Sequence, residues 1–338
     1  MRLYVSDSIV EVDEAQCTRA AINLKDVIKQ LSIDKFTNPE YYPPEGADSE
    51  LVARYFIFMV AIDHRTSRYE PFEGIIGGKF YHGADLLYRL GSKKLSEDPD
   101  FFSPQRMSKL TVRDLINWLS IQTSKGVLTI WDPEVRTALL KDLAIKLIKY
   151  YEGEVSNLIN VSRNTLKSPL FQGLIDRLKA FEAYSDPVEK KAYLLVKFIS
   201  RRGLFSYKDI ENSEVPVDNH LVRIALRLRL IKIKGNLLAK IRKNIEFNYN
   251  EDIMLRYVVR RAYKILSIVI GVDPLLLDDF LWFFGRKCCT KYKPMCESNK
   301  VCEGLGLTLE KCPFIDICPS AKTKEKLIEH TYLNTFYY

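Results

Sequence analysis

Six of the seven cysteines in this 338-residue chain fall between Cys288 and Cys318, at positions 288, 289, 296, 302, 312 and 318, while Cys17 stands alone near the other end. Thiolates crowded into one stretch repel one another unless a cation neutralises them, so this segment points to a bound metal centre. Six residues lie between Cys289 and Cys296, five between Cys312 and Cys318, and fifteen between the two pairs. Zinc knuckles usually pair cysteines across about two to four residues, whereas a cubane has a larger body whose ligands stand farther apart. The spacing predicts a [4Fe-4S] cluster held by Cys289, Cys296, Cys312 and Cys318, with a structural zinc site using four of the six thiols as the alternative. No role follows for Cys17, Cys288 or Cys302.

A second constellation begins at Val215-Pro216-Val217-Asp218-Asn219-His220 and runs into Leu221, Ile224, Ala225 and Leu228, an apolar stripe at helical spacing. Asp218 stands where a helix N-cap belongs, with His220 in the first turn. Farther on, Asp278 and Trp282 are spaced to share one face of a helix, where a ring could lie against the indole while the carboxylate meets a ring nitrogen or sugar. Upstream, Lys190 and Lys191 are adjacent like charges.

Taken together these residues resemble a known family. Gly285-Arg286 before Cys289, Lys293-Pro294 before Cys296, and Cys312-Pro313 leading to Cys318 resemble the iron-sulfur loop of the endonuclease III superfamily of helix-hairpin-helix DNA glycosylases, although fifteen residues stand where that family has two. The segment around Asp218 is similar to the family's Val-Asp-Thr-His signature, with Asn219 in place of threonine. The resemblance implies that Asp218 is the catalytic carboxylate, stabilising positive charge on the sugar as an N-glycosidic bond breaks. It also implies that Lys291 and Lys293, between the first two cluster ligands, meet DNA phosphates, and that His220 belongs to the substrate site.

In bifunctional members a lysine attacks the sugar as a free amine and forms a Schiff base, which requires its pKa to be lowered by burial or neighbouring cations. The endonuclease III alignment assigns that role to Lys191. The stretch from Lys190 through Lys197-Phe198 to Asp218 is also similar to the archaeal 8-oxoguanine DNA glycosylases, and that alignment assigns it to Lys190. Asp186-Pro187-Val188-Glu189 lies where the family has a glycine-rich hairpin, with Glu189 at one of the glycine positions. Shorter patches, Asp48 to Phe56, Gly78 to Ala84 and Leu277 to Trp282, resemble queuosine-salvage N-glycosylases, which hydrolyse a modified nucleotide.

The elements that must hold these residues are expected to be helices. Glycine (15) and proline (14) are sparse, and stripes such as Leu139, Leu140, Leu143, Ala144 and Leu147 have helical spacing, so the fold class is expected to be all-α, with a small strand or hairpin at the N-terminus. Turn-rich breaks suggest an N-terminal helical region over 1–140, a catalytic helical region over 141–287, and a cluster loop and tail over 288–338. A two-lobed helical DNA-glycosylase fold with a C-terminal cluster loop is what the resemblance adds. No signal core or roughly 20-residue apolar run is evident, so an intracellular, nucleoid-associated monomer without membrane contact is expected.

A formal charge of +8 makes an anionic partner plausible. Arg223, Arg227, Arg229, Lys232, Lys234, Lys240, Arg242 and Lys243, then Arg256, Arg260, Arg261 and Lys264, concentrate cations between Asp218 and the cysteines, which favours DNA as the ligand. The expected function is a DNA N-glycosylase of base excision repair, with or without lyase activity. The alternatives are an N-glycosidic hydrolase of a free modified nucleoside or nucleotide, and a non-catalytic DNA-binding iron-sulfur protein.

Overall fold

Apolar residues at helical spacing settle most of the chain into helices, and the computed structural model describes every residue from 1 to 338 except Ser6, Asn299, Lys324 and Lys326. The fold class is all-α, accompanied by small antiparallel sheets. The chain divides into two compact units, one built from 1–33 and 213–335, the other from 34–212 and 336–338. The expected stretches 1–140, 141–287 and 288–338 run consecutively, whereas each unit joins segments distant in sequence. Contacts closed by folding are invisible to turn composition alone.

In the first unit the N-terminal hairpin, Arg2–Val5 with Ser8–Val12, gains a third strand, Ile231–Lys234, in antiparallel register with Val10 opposite Ile233. Helix Glu14–Ile28 packs on the long helix Tyr249–Ile270. Small side chains at Cys17, Ala20 and Ala21, all fully buried, let the two backbones approach. The long helix starts with a capping box of Asn248 and Glu251 and ends at Gly271 in the left-handed region. Helix Asn219–Leu228 inserts Leu221, Ile224 and Ala225 into this core, and Tyr263 fixes it by donating its hydroxyl to the Leu221 carbonyl at 2.7 Å.

The second unit is organised around helix Ser49–Ala61, apolar on every side and buried from Tyr55 to Ala61. Helices Pro133–Tyr151 and Lys190–Arg201 pack against it. Phe198 stacks on Phe56 with ring centroids 4.9 Å apart and meets Phe36 edge-on at 4.5 Å. Two hairpins were not expected from the sequence. Glu73–Ile76 pairs with Lys79–His82 through Gly77 and Gly78, both at positive φ as a tight two-residue hairpin turn requires, and Ser120–Thr123 pairs with Gly126–Thr129. The patches from Asp48 to Phe56 and from Gly78 to Ala84 form a helix start and a strand-to-helix junction within this unit.

Among the described residues no helix is long and apolar enough to cross a membrane.

Candidate functional site

Asp218 is an N-cap. Its backbone is extended, and Oδ1 accepts from the Leu221 amide at 3.0 Å, satisfying one of the orphan donors of helix Asn219–Leu228. The carboxylate is half-buried, so it combines a fixed orientation with access. His220 lies one turn in, with Nδ1 3.2 Å from the Arg223 guanidinium. Burial, helped by the positive charge of Arg223, pushes its pKa down while Asp218 pulls it up. Gly285 lies against this turn so closely that an added Cβ would stand 3.0 Å from His220 Cβ.

The same helix reaches the thiols at its other end. Ile224, Arg227 and Leu228 line a small cavity of about 30 Å³ shared by Cys289, Cys296, Cys312 and Cys318, with Cys288 also on its wall. Burial lifts the thiols of Cys296 and Cys318 and carries Cys312 up to about 12, and neighbouring thiols raise these three further. Such thiols stay protonated unless a cation enters, in which case they become its ligands. Arg227, 4% exposed, donates to the Thr290 and Lys291 carbonyls at 2.8 Å and places Nη1 3.2 Å from Cys289 Sγ. Arg223 donates to the Cys289 carbonyl at 3.0 Å. Among the described residues no three His, Cys, Asp or Glu side chains come together closely enough to hold a metal ion.

The fifteen-residue spacer carries a hairpin, Cys302–Gly304 with Leu307–Leu309, which lengthens the path between the cysteine pairs without leaving the core. Cys288 and Cys302 are buried beside each other, and Cys302 donates to the Lys287 carbonyl at 3.4 Å.

Lys190 and Lys191 belong to the second unit, whereas Asp218 and the cysteines belong to the first. Neither lysine is a solvated surface residue. Lys190 is 8% exposed and donates to the Asp63 carbonyl at 3.0 Å, while Lys191 is fully buried. Burial pushes the Lys191 pKa far below its ordinary value, and the charges of Lys190 and Arg136 push the same way against Asp63 and Asp132. The preceding turn adopts the conformation that glycine favours, with Glu189 at φ 63°. Its side chain offsets that strain through ion pairs with Lys167 at 2.7 Å and Lys179 at 2.5 Å. Asp186 accepts from the Val188 amide at 2.9 Å and the Lys190 amide at 3.0 Å. Two amides of the turn are thereby occupied by a side chain of the same turn.

Asp278 and Trp282 lie one turn apart on helix Pro274–Phe283, but Asp278 is 3% exposed and Trp282 40%. The indole stacks under the Arg286 guanidinium at 4.5 Å. Lys293 is exposed, whereas Lys291 is held by Glu329 at 3.2 Å.

The expected basic strip is largely consumed by structure. Arg229 and Arg242 share Glu325, Lys240 pairs with Glu251, Lys232 with Asp13 and buried Arg256 with Asp252. Lys264 donates to the Ser213 carbonyl. A charge run in sequence does not reveal which carboxylate the fold brings to each cation. His64, Asp132 and Arg136, which surround Lys191, also went unrecognised; their only signal is Asp63-His64-Arg65 directly after an apolar helix.

The fold and site thus describe a helical protein with a capping carboxylate and a four-thiol cavity on one helix, and a buried amine in its other unit. No family model and no curated protein matches the sequence. Among solved structures it is similar to endonuclease III in a trapped covalent intermediate with DNA, an estranged-adenine complex, at 13% identity and TM-score 0.47 over 93% of this chain and 99% of that one. It is also similar to the 8-oxoguanine DNA glycosylase of Pyrobaculum aerophilum complexed with 8-oxoguanosine, at 17% identity and TM-score 0.43 over 81% of this chain and 88% of that one.

Proposed function

We propose that this protein is a DNA N-glycosylase with a [4Fe-4S] cluster, in which Asp218 stabilises the sugar cation and Lys191 supplies the amine of a lyase step. The observation that carries the reading is one helix, Asn219–Leu228, that presents the half-buried Asp218 carboxylate at its start and walls the four-thiol cavity at its end. Cys289, Cys296, Cys312 and Cys318 would hold the cluster, which when bound supplies a rigid polyvalent anchor for the loop carrying Lys293. Arg227 and Arg223 orient the Cys289 end of that loop. Asp218 faces developing positive charge; at about 4 Å and an effective dielectric near 20 such an attraction is worth roughly 4 kcal/mol, about a thousandfold in rate. Lys191 is preferred to Lys190 because it is fully buried, which favours the neutral, nucleophilic form of its amine.

The test is a panel of damaged duplex oligonucleotides and free modified nucleotides, assayed with wild type and Asp218→Asn. Base release from DNA that falls about a thousandfold in the variant supports the reading. Undiminished release by Asp218→Asn ends the assignment of that residue. A hydrolase of free nucleotides is the second reading, favoured because ion pairs tie up so much of the basic strip; it expects turnover of the free nucleotide with little dependence on salt.

A further inference from the structure

The surroundings of Lys191 hold more than a buried amine needs. Nζ donates to the Ala61 carbonyl at 2.6 Å and lies 3.3 Å from His64 Nδ1. On the far side of the ring, His64 Nε2 is 3.1 Å from Asp132 Oδ2. Asp132 is in turn anchored by Arg136, whose Nε is 2.9 Å from Oδ1. Arg136 is fully buried and donates to the Trp131 carbonyl at 2.9 Å, the Arg65 carbonyl at 2.7 Å and the Ile62 carbonyl. The backbone of Asp132 is left-handed, with φ 54°, a strained placement for a residue other than glycine.

This geometry fixes protons. Asp132 accepts from Nε2–H, which leaves Nδ1 as the acceptor facing Lys191. A neutral amine has two N–H bonds, and Ala61 and His64 take both, so its lone pair points elsewhere. The Phe336 ring also lies near, its centroid 5.7 Å from Nζ. The charged groups acting on His64 are Arg136, Lys191 and Lys190, and they join burial in keeping it neutral; Asp63 and Glu134 complete the set around Lys191 and Asp132.

We propose that His64, oriented by Asp132, is the positioning residue that receives the proton Lys191 releases when its amine attacks a carbonyl or sugar carbon. The inference rests on Lys191 as the nucleophile of the proposed function. On a deoxynucleotide the Nζ–C1′ bond forms as the glycosidic bond breaks, and the base leaves with the bonding pair and takes a proton from water. Nζ, now positive, passes a proton to His64 Nδ1, and the imidazolium lies against the Asp132 carboxylate until it returns that proton to water. The sugar ring then opens to the Schiff base as the Nζ lone pair forms the C=N bond, the C1′–O4′ pair going to O4′, which takes a proton from water.

Two probes separate this inference from the DNA reading. In the first, the intact protein is treated with formaldehyde and cyanoborohydride over a range of pH, and methylation of each lysine is mapped by mass spectrometry for wild type, His64→Gln and Asp132→Asn. Glutamine keeps both hydrogen bonds and cannot take a proton. The expected result is that wild-type Lys191 reacts at acidic pH where exposed lysines do not, and that His64→Gln, with an unchanged melting transition, reacts about a hundredfold more slowly with its profile moved to alkaline pH. Asp132→Asn is expected to lie between them. Equal rates and profiles in wild type and His64→Gln, or no methylation of wild-type Lys191 at any pH, overturn the inference. The second probe is borohydride trapping on abasic-site DNA. Absence of a wild-type adduct there refutes the lyase reading, while the formaldehyde profiles still decide the role of His64.

Discussion

At the residue scale, two buried ionisable groups have opposite consequences for stability. Lys191 in the folded protein titrates far below its ordinary 10.5, so between those limits the unfolded chain binds the extra proton. Its contribution therefore worsens as pH falls and recovers as pH rises toward 10.5. Lys191→Met is expected to raise the thermal midpoint at pH 7 while abolishing any trapped adduct, and calorimetry with the trapping assay checks both. Glu329 behaves the other way. Burial alone would push its carboxyl up, but the guanidinium of Arg223 at 2.8 Å and the ammonium of Lys291 at 3.2 Å overcome it and hold the pKa at about 2. This stabilisation is fully present above the ordinary value of 4.5 and is lost as pH falls toward 2. Glu329→Gln is expected to lose about 3 kcal/mol at pH 7 and progressively less below pH 4.5, read from denaturant midpoints across pH.

At the element scale, helix Asn219–Leu228 depends on the close passage of Gly285 across its first turn. A methyl group there meets His220 Cβ, which the backbone fixes, at 3.0 Å, and the terminal methyl of Ile224 at 3.3 Å. Gly285→Ala is expected to lower stability by about 1 kcal/mol and to displace the turn that carries Asp218, so a larger loss of turnover than of stability is the sign to look for. The turn before helix Lys190–Arg201 has a different solution to its geometry. Asp186 binds two of its amides and Glu189 holds the left-handed position through two lysines, so side chains hold a conformation that glycine favours. Glu189→Gly is expected to keep the backbone path while freeing Lys167 and Lys179, with little change in melting temperature because the relief of strain offsets the lost ion pairs.

At the scale of the whole molecule, the thiol cavity belongs to one compact unit and the buried amine to the other. With the proposed cluster held by those thiols, anaerobic removal of iron by a chelator is expected to bleach a brown protein and to loosen amide exchange around Cys289 to Cys318 while leaving the surroundings of Lys191 protected. Hydrogen exchange with iron and zinc quantitation checks this, and a colourless, zinc-loaded protein would replace the cluster with the simpler site. The sequence by itself determined the helical class, the N-terminal hairpin, the capping position of Asp218 and the grouping of the cysteines, because each depends on short-range periodicity or spacing. It did not determine which unit each segment joins, which cations remain free, or that Lys191 lies against His64 and Asp132. Those depend on residues far apart in the chain: Lys191 and His64 are 127 positions apart, and only the packing of helix Lys190–Arg201 on helix Ser49–Ala61 brings them within reach. Burial and pairing are properties of the closed core, so the chemistry of that lysine was decided by tertiary structure.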